Sequence, residues 1–102
     1  MKGKINMKPY YITNTKDFQD YLNYKGYELL DINTFKYRQI RNCQAWELSA
    51  KIKHNESNQV YTIPILQSYN TIVAYALYGE VWTWKKYSPT TSRQITYWRR
   101  GE

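Results

Sequence analysis

The sequence is short of the residues from which most active sites are built. It holds one cysteine, Cys43, and one histidine, His54. A single thiol excludes a disulfide within the chain and fits a reducing compartment. One Cys and one His do not supply the three or four ligands of a metal centre, so no metal and no cofactor is expected. The four glycines form neither a GxGxxG nor a GxxxxGK[ST] pattern, which leaves no visible phosphate-cradling loop. No apolar run approaches the 18 residues of a membrane span. The opening "MKGKINMKPYY" is charged but lacks an apolar h-region, so a secretory signal is not expected and a cytoplasmic location is. Carboxylates are also scarce, eight against 15 Lys and Arg, which leaves a net charge of +7. That balance favours a polyanion or an acidic protein surface as partner.

What the chain has in quantity is aromatic rings with a polar handle. Twelve tyrosines and four tryptophans stand against two phenylalanines. Such rings suit the edges of cores, interfaces and stacking surfaces. With 42% hydrophobic residues the chain is too apolar to be disordered, and 102 residues make one domain's worth. Residues 1–9 are basic and non-periodic, and read as a flexible arm. The rest, 10–102, reads as a single domain.

Within "NTKDFQDYLNYKG", Phe18, Tyr21, Leu22 and Lys25 recur at helical spacing. Thr15 is placed to cap and Gly26 to terminate, which predicts a helix over 16–25. "YELLDINTFKYRQIRN" is ambiguous, although Phe35, Tyr37 and Gln39 alternate with Lys36, Arg38 and Ile40 in a weak strand pattern. "AWELSAKIKH" is clear: Trp46, Leu48, Ala50 and Ile52 alternate with Glu47, Ser49, Lys51 and Lys53, a strand with one wet face. "QVYTIPILQSY" is a second strand, and Pro64, lacking a donor, places it at an edge or a bulge. "TIVAYALY" suits a central strand covered on both faces, and a turn at Gly79 leads to "VWTWKKY". In "SPTTSRQITYWRRG", Ser88 caps, Pro89 takes the first helical position and Gly101 ends a last helix. The expected fold is α+β: an N-terminal helix, an antiparallel meander of about four strands, and a C-terminal helix packed on the sheet. Both helices are expected on the sheet's one apolar face.

Catalytic sets are hard to assemble. His54 lies at a strand end beside a polar turn, and it is the only base available to Cys43. Asp17 and Asp20 read as a solvated helix face, and Glu47 as the wet side of its strand. The expectation is a protein that binds rather than catalyses. The charged candidates are Lys85, Lys86, Arg93, Arg99 and Arg100 near the C-terminus, with Arg38 and Arg41 in the ambiguous stretch. Trp84, Tyr87 and Tyr97 are the candidate aromatic anchors. On the last helix Ile95 and Trp98 should face the sheet, with Arg93, Tyr97 and Arg100 outward. Ser88, Thr90 and Thr91 at its N-terminus form an expected anion-favouring spot.

The words Ser68-Tyr69-Asn70-Thr71-Ile72-Val73-Ala74, Tyr87-Ser88 and Thr90-Thr91-Ser92-Arg93 resemble a C-terminal module of small proteins from tailed bacteriophages and prophages. There, a "SYxTxVA" strand precedes an aromatic-Ser-x-Thr-Thr-Ser-Arg-His helix start. Here Gln94 stands in place of the histidine. The resemblance implies a phage-type origin and the cytoplasm of a bacterial host, not a reaction. It makes the leading expectation an accessory protein that binds a host protein or ribonucleoprotein, such as a CRISPR effector, as an inhibitor. A DNA- or RNA-binding phage regulator is the alternative, and a structural or assembly protein that forms homo-oligomers is the third.

Overall fold

The computed structural model describes residues 7–102. The chain runs α1 (Lys16–Tyr24), β1 (Tyr27–Gln39), β2 (Ala45–His54), β3 (Val60–Ser68), β4 (Thr71–Leu77), β5 (Glu80–Trp82) and α2 (Pro89–Arg99). The five strands form one antiparallel meander in chain order. This is the expected α+β architecture, with the ambiguous stretch supplying a fifth strand.

That strand was hard to read because it breaks its own alternation twice. Leu29 pairs with Ile52 and Asp31 with Lys51, so Leu30 is extra. Farther on, Asn33 pairs with Ser49 and Arg38 with Glu47, so residues 34–37 of β1 stand against Leu48 alone. The Asn33 side chain holds this excursion, its Oδ1 accepting from the backbone N–H groups of Phe35 (2.9 Å) and Lys36 (3.4 Å). Phe35, at its crest, is 92% exposed.

The sheet is buried on both faces, one helix to each, which corrects the expectation of a single apolar face. Phe18 and Leu22 of α1 pack on Trp46, Leu48, Ala50 and Ile52 of β2, with Ile63, Ile65, Ile72 and Tyr75. On the opposite face Ile95 and Trp98 of α2 pack with Ile40, Ala45, Leu66, Val73 and Ala74. Strand β4 serves both faces through a bulge: Leu66 pairs with Ala74 and Gln67 with Ile72, leaving Val73 as the additional residue. Pro64 does not mark an edge, since β3 is the middle strand. The pairing of β3 with β4 instead stops at Ile65, one residue short of the position that has no N–H to give.

Residues 7–14 are not a loose arm. Trp46 Nε1 donates to the Met7 carbonyl (2.8 Å), and the Met7 N–H donates to Gln39 Oε1 (3.1 Å). The Thr13 N–H donates to the Asn70 carbonyl (3.0 Å), and Asn14 bridges to Thr71. The segment therefore straps the end of the sheet from β1 to β4. The rest of the expected arm, residues 1–6, lies outside the described residues.

Phe18 is completely buried and stacks on Trp84 at 5.3 Å, so it couples α1 to the chain that follows β5. Phe18→Ala should cost about 3–5 kcal/mol of stability, read as a lower denaturation midpoint in urea with an unchanged slope.

Candidate nucleic-acid interface

The strap, the β1–β2 turn, the β3–β4 turn and α2 meet at one end of the sheet. Neutral amides hold them together. Gln67 is fully buried, and its Nε2 donates to the carbonyls of Tyr10 (2.8 Å) and Tyr69 (2.6 Å). Gln44 Oε1 accepts from the Tyr10 hydroxyl (2.8 Å), and Gln39 Nε2 donates to the Cys43 carbonyl (2.9 Å). Two non-glycine residues here, Arg41 (φ 51°) and Tyr69 (φ 53°), sit in the left-handed region. Backbone of that kind persists only where surrounding contacts over-determine it.

On the α2 side the stretches Ser68–Ala74 and Thr90–Arg93 come together in space. The Ser68 hydroxyl donates to Gln94 Oε1 (2.5 Å) and lies 3.2 Å from the Thr91 hydroxyl. Ser68 is 4% exposed and Gln94 2%. The "SYNTIVA" strand and the "TTSRQ" helix start are thus one lock, which seats α2 on β3. At Gln94 the acceptor of this lock is an amide, which has no titratable proton. Trp98 makes a second tie, its Nε1 donating to Glu47 Oε1 (2.6 Å), the oxygen that also pairs with Arg38 (3.2 Å).

The candidate cations divide in two. Lys85 pairs with Asp17 (2.8 Å), Arg38 with Glu47, and both Arg41 (3.5 Å) and Arg100 (3.7 Å) with Glu102. The C-terminal charge is therefore less unbalanced than its local sequence implies. Among the described residues, Lys86, Arg93 and Arg99 are exposed and have no carboxylate within pairing distance. Arg93 and Tyr97 line a depression of about 290 Å³ with Asn42, Cys43, Gln44 and Tyr69. Beside it the Arg41 guanidinium lies 4.3 Å from the centre of the Tyr97 ring.

The anchor candidates fare differently from one another. Tyr97 is half-buried at this surface. Trp84 is no anchor: its ring stacks on Phe18 and Tyr21 beneath α1, and its Nε1 is buried without a partner. Tyr87 packs under α2, and its hydroxyl is likewise buried and unpartnered. The anion spot at the start of α2 is mostly closed. Pro89 has no N–H, and the Thr91 N–H donates to Ser88 Oγ (3.2 Å), which leaves Thr90 as the free donor of the first three positions.

Sequence reasoning missed Tyr10, Tyr11, Gln67 and the crest residue Phe35. Tyr11 is 86% exposed. With Lys8, Tyr10, Ile12, Ile32, Tyr37 and Gln67 it lines a groove of about 490 Å³ between the strap and the β1 excursion. The doubled tyrosine in "KPYYI" is the one local signal for this groove.

Cys43 and His54 lie at opposite ends of β2, separated by about 30 Å at the rise of an antiparallel strand. His54 Nδ1 serves the neighbouring turn, accepting from the Ser57 N–H (3.2 Å). Among the described residues no three His, Cys, Asp or Glu side chains gather to hold a metal, and no helix is long and apolar enough to cross a membrane.

Two measurements follow from these buried polar groups. Gln94→Ala strips Ser68 of its acceptor inside the core and should cost about 1–3 kcal/mol, while Gln94→His, which keeps an acceptor, should lose less. Chemical denaturation of the two variants checks the order. Tyr87 behaves oppositely, because its hydroxyl has no partner to lose. Tyr87→Phe should be neutral or stabilising at pH 7. Burial, and next the Asp17 carboxylate, push the Tyr87 phenol up to about 12 from its ordinary 10. The unfolded chain therefore ionises first. Stability present below pH 10 is lost as the pH rises toward 12, and Tyr87→Phe should flatten that part of a melting-temperature profile.

No curated protein and no solved structure matches this chain. Residues 9–102 match a family of unknown function (DUF8033), from the strap to the last residue of the Arg41–Glu102 pair, and the chain belongs to that family.

Proposed function

We propose that this protein is a non-catalytic binding protein that engages the nucleic acid of a host ribonucleoprotein through the basic, tyrosine-rich end of its sheet. In this reading it is a phage-type accessory factor in the bacterial cytoplasm that inhibits a defence nuclease such as a CRISPR effector. The observation that carries it is Arg93, an exposed cation without a carboxylate partner, in one depression with Tyr69 and Tyr97, while Lys86 and Arg99 are likewise exposed and unpaired among the described residues. Unpaired cations hold phosphate, and aromatic faces hold bases. The net charge of +7 argues against action as a mimic of nucleic acid.

The test is a titration of a labelled oligonucleotide, followed by anisotropy, at salt concentrations from about 50 to about 300 mM, roughly a sixfold range of counterion competition. Affinity should fall linearly on a log–log plot. The Lys86→Glu, Arg93→Glu pair should reduce the slope by about two and weaken all sequences alike. Both residues are exposed, so the variant is expected to fold. Unchanged binding by the folded double variant removes this face from the interface. Capture of a host protein that survives nuclease treatment would assign the charge to an acidic protein surface instead.

A further inference from the structure

We infer that Arg41 and Arg100 form a seat for one phosphate of the bound nucleic acid, and that the Glu102 carboxylate occupies this seat as a built-in competitor until the ligand displaces it. This rests on the nucleic-acid reading above and adds to it a second phosphate site and a restraint on affinity.

One carboxylate is shared here by two guanidiniums. Glu102 Oε1 lies 3.5 Å from Arg41 Nε, and Oε2 lies 3.7 Å from Arg100 Nη1. Backbone contacts bring the three residues together. The Ile40 N–H donates to the Ala45 carbonyl and the Cys43 N–H to the Ile40 carbonyl (both 2.9 Å), which closes the turn that carries Arg41. Arg41 itself sits at φ 51°, and its guanidinium lies against the Tyr97 ring of α2. The Arg100 N–H donates to the Thr96 carbonyl (3.1 Å). Gly101, at φ 83°, then turns the chain back, and the Glu102 N–H donates to the Tyr97 carbonyl (2.9 Å). The stems of all three side chains are therefore placed by backbone structure rather than by the ion pairs.

The carboxylate fills the seat without satisfying it. Two cations face one anion, which leaves one positive charge over. Both contacts exceed hydrogen-bonding range, so Glu102 offsets charge without engaging the N–H donors, of which each guanidinium has five. Both arginine side chains are half or more exposed, and ion pairs in such positions are weak and exchangeable. A phosphate group accepts from two guanidiniums at once and makes the short charge-assisted hydrogen bonds that the carboxylate does not. The depression at this point, of about 490 Å³, is lined by Arg41, Asn42, Cys43, Tyr97 and Glu102. It shares Asn42, Cys43 and Tyr97 with the depression that holds Arg93. A strand whose phosphate meets Arg93 thus runs on into the seat. An acidic side chain of a protein partner shares part of this chemistry, and the experiment separates it.

The measurement is the same oligonucleotide titration with Glu102→Gln, which keeps the side chain's size and removes its charge. Binding at low salt should tighten by about 2- to 30-fold, the worth of two exposed ion pairs. The salt slope should steepen by about 0.7 to 0.9, one phosphate contact. Glu56→Gln, in the exposed turn after β2, makes the same change in net charge at the other end of that strand. It should change affinity less and leave the slope as it was. In an Arg41→Asn, Arg100→Gln background, Glu102→Gln should do no more than Glu56→Gln; asparagine tolerates the left-handed backbone at position 41. All four positions are exposed, so the variants are expected to fold. Equal effects of Glu102→Gln and Glu56→Gln, or an undiminished Glu102→Gln effect in the arginine-free background, overturn the seat and leave the Arg93 surface standing. Failure of every variant to bind the oligonucleotide overturns both, and points to an acidic protein partner.

Discussion

The sheet has two faces to bury and only two short helices to bury them with. Nearly every unusual feature of the molecule follows from that constraint. Helix α1 covers one face incompletely, and Tyr27, Tyr61, Trp82 and Trp84 finish the cover with large rings, the Trp84 Nε1 being buried beneath the helix. Helix α2 lies over the ends of the strands on the other face, where Ala45, Leu66 and Ala74 are buried beneath it. Farther along that face, Lys51, Thr62 and Pro64 are exposed and need no cover. A chain of this length that covers one face of the sheet and one end of the other uses amphipathic rings as partial roofing. The high content of tyrosine and tryptophan is thus first a solution to coverage, and only the rings left over are free to meet a partner.

The second device is the use of neutral amides as fasteners. Gln39, Gln44, Gln67 and Gln94 each join segments distant in sequence, and each offers a donor and an acceptor without a charge to desolvate. An ion pair in the same positions would have to recover the cost of removing two charges from water. The arrangement leaves the cationic side chains on the outside, where Lys86, Arg93 and Arg99 keep their full field. It also leaves the Gln67 Oε1 buried without a partner.

Legibility in the sequence followed the regularity of the backbone. Strand β2 was plain because its period-two pattern runs uninterrupted from Trp46 to Ile52. The start of α2 was plain because Ser88 and Pro89 act locally. Strand β1 was obscure because its extra residues shift the alternation, and no local signal announces such a shift. Pro64 marked an irregularity but not an edge: the β3–β4 ladder ends beside it and bulges at Leu66 and Gln67, while the sheet continues to β5. Trp84 misled for a different reason: its stacking partners lie on α1, far away in sequence. Lys85 likewise finds Asp17 68 positions away. Charges, rings and amides that are settled by long-range pairing cannot be sorted into buried and available from the order of residues alone.

The strap has a consequence for the order of assembly. Its residues are the first described part of the chain, yet their partners are Gln39, Trp46, Gln67 and Asn70. During synthesis the strap cannot complete its docking until β3 and the turn after it have formed, and it must close a long loop when it does. The groove it borders is therefore incomplete until β3 has supplied Gln67. A chain interrupted before the β3–β4 turn carries the strap's tyrosines but not the surface they complete.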